Sequence, residues 1–292
     1  MAGKAPGTTA FVFAGGGSFG AVQVGMLREL VASGVKPDFI VGCSVGAING
    51  VHFATAPDAS GVARLEQIWR GLHRRDIFPF TFTNICAAVL RRAHLVDPRA
   101  LRMLLERHIS CAQLEDTAIP AHVVATSLLA GVAVCFSRGP AIPAILASAA
   151  IPAAFPPVRI GDEDYIDGGV ANNTPVETAR ELGATKVIVL PGGFACALAE
   201  PPRGAVASAM HALNLMIARQ MVNEIERIGD SLDVTVVPPL CPVDVSPYDF
   251  TRAGELIDRA AQNTREWLDG GGLARRGVPQ QLRIHAHGRI QQ

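Results

Sequence analysis

The sequence predicts an α/β fold, with helices on both faces of a mainly parallel central sheet in three layers. Three observations carry this. Short apolar runs of strand length alternate with helix-length stretches along the whole chain. Glycine-bound turns follow several of those runs. Hydrophobic residues make up 49% of the chain and charged ones only 18%, which suits a large buried core rather than disorder.

Taken in order, Thr9 to Ala14 reads as a buried strand. A helix follows from Val22 to Ser33, with Val24, Leu27, Leu30 and Val31 on one face, and Gly34 stops it. Phe39 to Gly42 is a second short strand, Ala47 to Ala56 the helix after it, and Val62 to Leu72 an amphipathic helix. Asp97-Pro98 opens another helix through His108, with Asp as cap and Pro in the first helical position. His122 to Thr126 and Val132 to Phe136 resemble strands, and Pro140 to Ala150 a helix with Pro143 in its first turn. Val158 to Ile166 reads as a hairpin turning at Gly161-Asp162. Beyond it come a helix from Pro175 to Leu182, a strand at Lys186 to Leu190, a long helix from Val206 to Ile228, a strand at Val234 to Val237 and a last helix from Phe250 to Leu268.

No compositional break divides the chain, so the expectation is one domain over residues 9–270, a flexible segment at 1–8, and a tail at 271–292 that is frayed or lightly docked. Twenty-six basic residues balance twenty-six acidic ones, leaving no global field for nucleic acid. The six cysteines, at 43, 86, 111, 135, 196 and 241, form no C-x-x-C pair and no metal-ligand spacing. Buried free thiols in a reducing compartment are expected, with no metal or cofactor. The N-terminus leaves no room for a secretory apolar region before the first glycine turn, and no window reaches the ~18 apolar residues of a span. The expected location is therefore cytoplasmic, with at most peripheral contact at the inner face of a membrane.

The chemistry gathers at three turns. Gly42-Cys43-Ser44-Val45-Gly46 follows the apolar run Phe39-Ile40-Val41 and leads into a helix, so it would present the Ser44 hydroxyl at a tight strand-to-helix turn. A serine hydroxyl needs a base to take its proton and donors for the oxyanion. Gly15, Gly16 and Gly17 can bring successive backbone N–H groups to a carbonyl oxygen, making them the candidate oxyanion hole. For the base, His52, His73, His108 and His211 fall within helices and His122 begins a strand. His94, His285 and His287 lack any surrounding motif. Asp167 has one: a strand, then Asp, then Gly168 and Gly169. All three turns follow strands, where α/β sheets collect ligands.

Four ordered segments together resemble the patatin-like phospholipases (PNPLA proteins): Gly15 to Gly20, the Ser44 elbow, Ala147-Ser148 through Pro156-Pro157, and Asp167-Gly168-Gly169 through Pro175. The resemblance covers residues 9–195 firmly and the rest loosely. It implies a three-layer α/β/α fold and a lipid acyl hydrolase without histidine or metal, with Ser44 matching the nucleophile and Asp167 the proton acceptor. Many members carry Arg or Lys before the last glycine of the first motif. This chain has Phe19 there, which makes Phe19 a candidate selectivity position and tilts the expectation toward uncharged esters and single-chain lipids.

Other readings stay beside these. Gly15 to Gly20 also fits a dinucleotide fingerprint, but no acidic residue ends a second strand at the required distance. The Ala/Pro run from Ala147 reads as structural, and Cys43 as a small core residue. Phe78, Phe80 and Phe82, followed by Arg91, Arg92 and His94, fit a hydrophobic helix and loop covering the sheet edge, with an interfacial lid meeting lipid as the other reading. An acyltransferase using the same acyl-enzyme and a non-catalytic lipid-binding module are the competing functions. Both proposed dyad residues are present, which argues against the second.

Overall fold

The computed structural model describes residues 7–77, 96–193, 196–197 and 205–283. The sheet has eight strands: β1 (Thr9–Phe13), β2 (Phe39–Cys43), β3 (Ala121–Ser127), β4 (Ala133–Phe136), β5 (Val158–Ile160), β6 (Glu163–Asp167), β7 (Lys186–Leu190) and β8 (Asp233–Val236). The order is β5-β6-β3-β2-β1-β7-β8, with β4 also paired to β3. Strands β3, β2, β1, β7 and β8 run parallel, while β4, β5 and β6 pair antiparallel. The mainly parallel reading of the sequence holds.

Alternation along the central strands sorts side chains into two cores. Phe11, Phe13, Ile40, Ile188 and Leu190 face one side, packed by α1 (Gly20–Ala32), α2 (Val45–Thr55) and α3 (Ala59–Gly71). On the same side, after the short α4 (Arg74–Ile77), lie α5 (Arg99–His108), α6 (Ala141–Ser148) and, at the far end of the chain, α9 (Ala253–Asp269). Ala10, Val12, Val41, Val187 and Val189 face the other side, covered by α7 (Val176–Glu181) and α8 (Ala205–Ile228). Three layers result.

Helix ends depart from the sequence reading by a few residues, and α5 begins at Arg99 with Asp97 Oδ1 accepting from its N–H at 2.9 Å. The C-terminal tail docks as far as it is described. Leu282 is buried, and Arg276 donates to Asp233 and Thr235. Cys43 and Cys111 are buried; Cys135, Cys196 and Cys241 are partly so, with the last two sulfurs 4.0 Å apart. Phe78, Phe80, Phe82 and the cations after them lie outside the described residues. Among those described, no helix is long and apolar enough to cross a membrane, and no cluster of His, Cys, Asp and Glu could hold a metal ion.

One feature of the topology builds the site. A strand has two edges, and β4 takes one edge of β3 at Val123–Thr126. On the other edge β2 pairs through Cys43↔Val124, and β6 takes over at Ala125↔Asp167, running the opposite way. The ends of β2 and β6 therefore meet head to head. The residue after one is Ser44, and the last residue of the other is Asp167.

Candidate active site

Ser44 is the residue between β2 and α2, with φ 53° and ψ −126°. A side chain at positive φ costs on the order of 1–3 kcal/mol, held here by surrounding packing. Part of that packing is Gly46: a methyl there would drive into the carbonyl of Phe13, so only glycine lets α2 start this close to β1. The Ser44 N–H donates to Ser148 Oγ at 2.8 Å, and Ser148 Oγ donates in turn to the Val124 carbonyl at 2.6 Å. Gly42 lies within β2 beneath the first turn of α2.

The Ser44 hydroxyl donates to Asp167 Oδ2 at 2.7 Å, and the Gly169 N–H donates to Asp167 Oδ1 at 2.8 Å. Thr126 Oγ1 donates to the Asp167 carbonyl at 2.8 Å and accepts from the Ala171 N–H at 3.2 Å, fixing the turn on both sides. Gly168 packs against Cys43 and the Val124 carbonyl. Asp167 is buried, and desolvation pushes its carboxyl up to about 6, against the opposing pull of the Ser44 hydroxyl and Gly169 amide. Burial likewise raises the neighbouring Cys43 thiol, with the Asp167 charge adding to it, so that sulfur stays protonated.

The Gly15–Gly17 turn lies over this pair. The Gly15 N–H donates to the Asn173 carbonyl at 3.1 Å and the Ser18 N–H to the Pro247 carbonyl at 2.7 Å. Between them, the Gly16 and Gly17 N–H groups make no hydrogen bond within the described residues. Gly17 has φ +59° and packs on the Pro247 carbonyl, where a side chain would collide. A buried network holds the turn from below. Gln23 Nε2 donates to the carbonyls of Ala14 at 2.6 Å and Leu190 at 3.0 Å. Asn49 Nδ2 donates to Gln23 Oε1 and the Gly20 carbonyl, and Trp69 Nε1 to Asn49 Oδ1.

Phe19 is placed differently from its expected role. It is 1% exposed and part of the main core, and it lines neither cavity at Ser44. The turn into α1 carries its ring away from the site, so a selectivity role has no geometric basis. Sequence reasoning missed Ser148, Asn173, Gln23, Asn49 and Thr126 as supports of the site. Ser148 and Asn173 sat inside quoted motifs, but nothing local marks a serine as the acceptor for a backbone amide 104 positions away.

Two cavities meet at Ser44. One, of about 80 Å³, runs between α2, α3 and α5, lined by Ile48, Leu65, Trp69, Leu101, Leu105 and Phe155 among others, with Ser44, His52 and His108 among its polar members. The other, of about 40 Å³, is lined by Gly16, Gly17, Asp167, Asn173, Asn214 and Tyr248 among others. Neither a histidine nor a Lys or Arg lines this second cavity among the described residues. His52 Nδ1 is 3.1 Å from the His108 carbonyl, and burial lowers the His52 pKa; no hydrogen bond joins it to Ser44.

Comparison with known proteins finds relatives over much of the chain. Over 186 residues the chain is 32% identical to an NTE family protein of Mycobacterium tuberculosis (strain ATCC 25618 / H37Rv), covering 62% of this chain and 48% of that one. It is 27% identical over 192 residues to human patatin-like phospholipase domain-containing protein 6, covering 64% of this chain and 13% of that protein. The chain thus matches less than half the length of these relatives. The crystal structure of VipD from Legionella pneumophila aligns with TM-score 0.49 at 15% identity, over 91% of this chain and 67% of that one. The family model described as Patatin-like phospholipase matches residues 11–180, a stretch that holds all three turns. Since that match spans more than half of the sequence, the chain belongs to the patatin-like phospholipase family.

Proposed function

We propose that the chain is a serine acyl hydrolase that cleaves acyl esters of lipids through an acyl-enzyme on Ser44, with Asp167 as the base. Family membership supports lipid hydrolysis in general. The observation that carries the finer reading is the 2.7 Å hydrogen bond from Ser44 Oγ to Asp167 Oδ2, placed where an apolar and a polar cavity meet. In this reading Ser44 Oγ attacks the ester carbonyl carbon as Asp167 takes its proton. The negative charge that develops on the carbonyl oxygen is met by the Gly16 and Gly17 N–H groups, and the positive end of α2 favours it too. Gly15, expected to be a third donor, is already engaged with Asn173.

Collapse of the tetrahedral intermediate expels the alcohol, which receives the proton from Asp167 and leaves through the polar cavity. Water then enters from that side, loses a proton to Asp167 and attacks the acyl carbon; Ser44 Oγ departs taking that proton back from Asp167, and the carboxylic acid is released. A carboxyl held up to about 6 is a more competent base near neutral pH than an ordinary aspartate, while still ionised there. The apolar cavity takes the acyl chain. Among the described residues the polar cavity is lined by no Lys or Arg, and this, rather than Phe19, supports a preference for uncharged esters and single-chain lipids over phospholipids.

The test is a panel of p-nitrophenyl esters, lysophospholipids and diacyl phospholipids, with a fluorophosphonate label traced by mass spectrometry. Hydrolysis that survives EDTA, with the label on Ser44, is expected. Turnover with the label on another serine, or turnover that chelation abolishes and a divalent ion restores, would overturn the reading.

A further inference from the structure

Turns on protein surfaces are built from Gly, Pro, Asn, Asp and Ser, because the exposed backbone and side chains there face water. The loop joining β3 to β4 breaks this pattern. It reads Leu128-Leu129-Ala130-Gly131-Val132, with Leu128 41%, Leu129 97% and Val132 55% exposed. β3 continues past the level at which β2 ends, since Cys43 pairs with Val124 whereas β3 runs to Ser127. The loop therefore projects beyond Ser44 at the catalytic end of the sheet. Its base is tied to the site: the Leu128 N–H donates to the Asp164 carbonyl at 2.8 Å, and Thr126 bonds the Asp167 turn.

Two more exposed apolar segments lie at the same end. Val170, 43% exposed, follows the Asp167 turn and lines the polar cavity. Leu215 and Met216, at 38% and 68%, sit on α8 between Asn214 and Ile217, which line that cavity as well. Of the eight large hydrophobic side chains exposed among the described residues, six belong to these three segments, and only Met103 and Leu182 lie elsewhere. Such segregation marks an interaction surface rather than scattered exposure. Arg219, exposed one turn after Met216, adds a cation beside the apolar tips.

We propose that the Leu128–Val132 loop, Val170 and the Leu215–Met216 step of α8 form a docking surface for a phospholipid bilayer. This rests on the lipid-hydrolase reading: the polar cavity lined by Val170, Asn214 and Ile217 meets at Ser44 the apolar cavity that this reading gives to an acyl chain, and such chains are presented by a lipid surface. Side chains that stand free in water bury their apolar area among acyl chains, with Arg219 at head-group level. The docked bilayer faces the cavity that a lipid enters.

The test uses the full chain as Ser44→Ala, so that nothing is hydrolysed, cosedimented with vesicles of phosphatidylcholine and a minor share of phosphatidylglycerol. The parent is expected to sediment with vesicles. Leu129→Asp combined with Met216→Asp should weaken this by roughly tenfold or more, while Leu182→Asp, an exposed leucine at the opposite end, leaves it unchanged. With Ser44 restored, the double variant should hydrolyse a soluble p-nitrophenyl ester at the wild-type rate, which also reports an intact fold. A parent that ignores vesicles, or a double variant that sediments as well as the parent, would overturn the proposal. So would a patch that instead drives self-association, seen as a concentration-dependent dimer that Leu129→Asp dissolves. Vesicle binding by a chain whose native form hydrolyses no ester would support the docking surface and overturn the hydrolase reading.

Discussion

The serine turn and the aspartate turn lie side by side, yet each holds its functional group in a costly state by different physics. At Ser44 the cost is conformational. The backbone stands at φ 53°, and α2, β1 and Ser148 hold it there. At Asp167 the backbone is relaxed, with φ −47° and ψ 131°, and the cost is electrostatic, a carboxylate removed from water and answered by only one hydroxyl and one amide. In the proposed reading, geometry aims the nucleophile and desolvation makes the base. The two turns should therefore respond differently to substitution and to pH.

The largest effect is expected from Ser44→Ala, which removes the proposed nucleophile and leaves the elbow. Ester hydrolysis should fall by about 10⁴-fold or more, with the melting temperature little changed. Asp167→Asn keeps the shape and removes the proposed proton acceptor, so kcat should fall by roughly 10²–10⁴. The same variant separates the two turns by stability. In the folded chain Asp167 keeps its proton up to about 6, while the unfolded chain releases it near 3.8, so between those values the folded state binds more protons. Stability from this group is present below the lower value and is lost as pH rises through the upper one. Asn at 167 escapes that loss: at pH 8 it should be more stable than wild type by up to about 3 kcal/mol, and the gain should vanish toward pH 4, read by denaturant unfolding at both pH values.

A smaller effect is expected at Ser148. Its replacement by Ala leaves the buried Ser44 N–H without an acceptor, at about 1–3 kcal/mol, and loosens the elbow. We expect kcat to fall by about tenfold with KM nearly unchanged and the pH profile unmoved, since Asp167 keeps its surroundings. A shift in the apparent pKa instead would show that the two turns do not act through separate terms.

What could be read in the sequence follows the same division between local and non-local causes. β1, β2 and β7 are buried on both faces, so they appear as continuous apolar runs, and the glycine-bound turns after them mark themselves by spacing. Ser44 and Asp167 were legible for that reason. The route by which they meet was not. The Val158–Ile166 hairpin is visible locally, but nothing local says that β6 enters the edge of β3 that β2 leaves free. Gln23, Asn49 and Ser148 look like ordinary helix residues until their partners on distant strands and helices are known. Phe19 misled for the complementary reason: adjacency to the glycine turn in sequence says nothing about which way the entry to α1 points the ring. The apolar loop after β3 passed as a gap between two strands, with Val132 read into the second, because its meaning lies in what it stands next to.

The most direct test of the Ser44–Asp167 pair is the rate of fluorophosphonate labelling of Ser44 across pH, in wild type and Asp167→Asn, with the labelled peptide identified by mass spectrometry. The wild-type rate should climb with a midpoint near about 6 and level off above it, as the buried carboxyl ionises. In Asp167→Asn the same peptide should be labelled slowly, with that step gone. A step of similar midpoint that persists in Asp167→Asn would assign the base to another group and contradict the pairing on which the account depends.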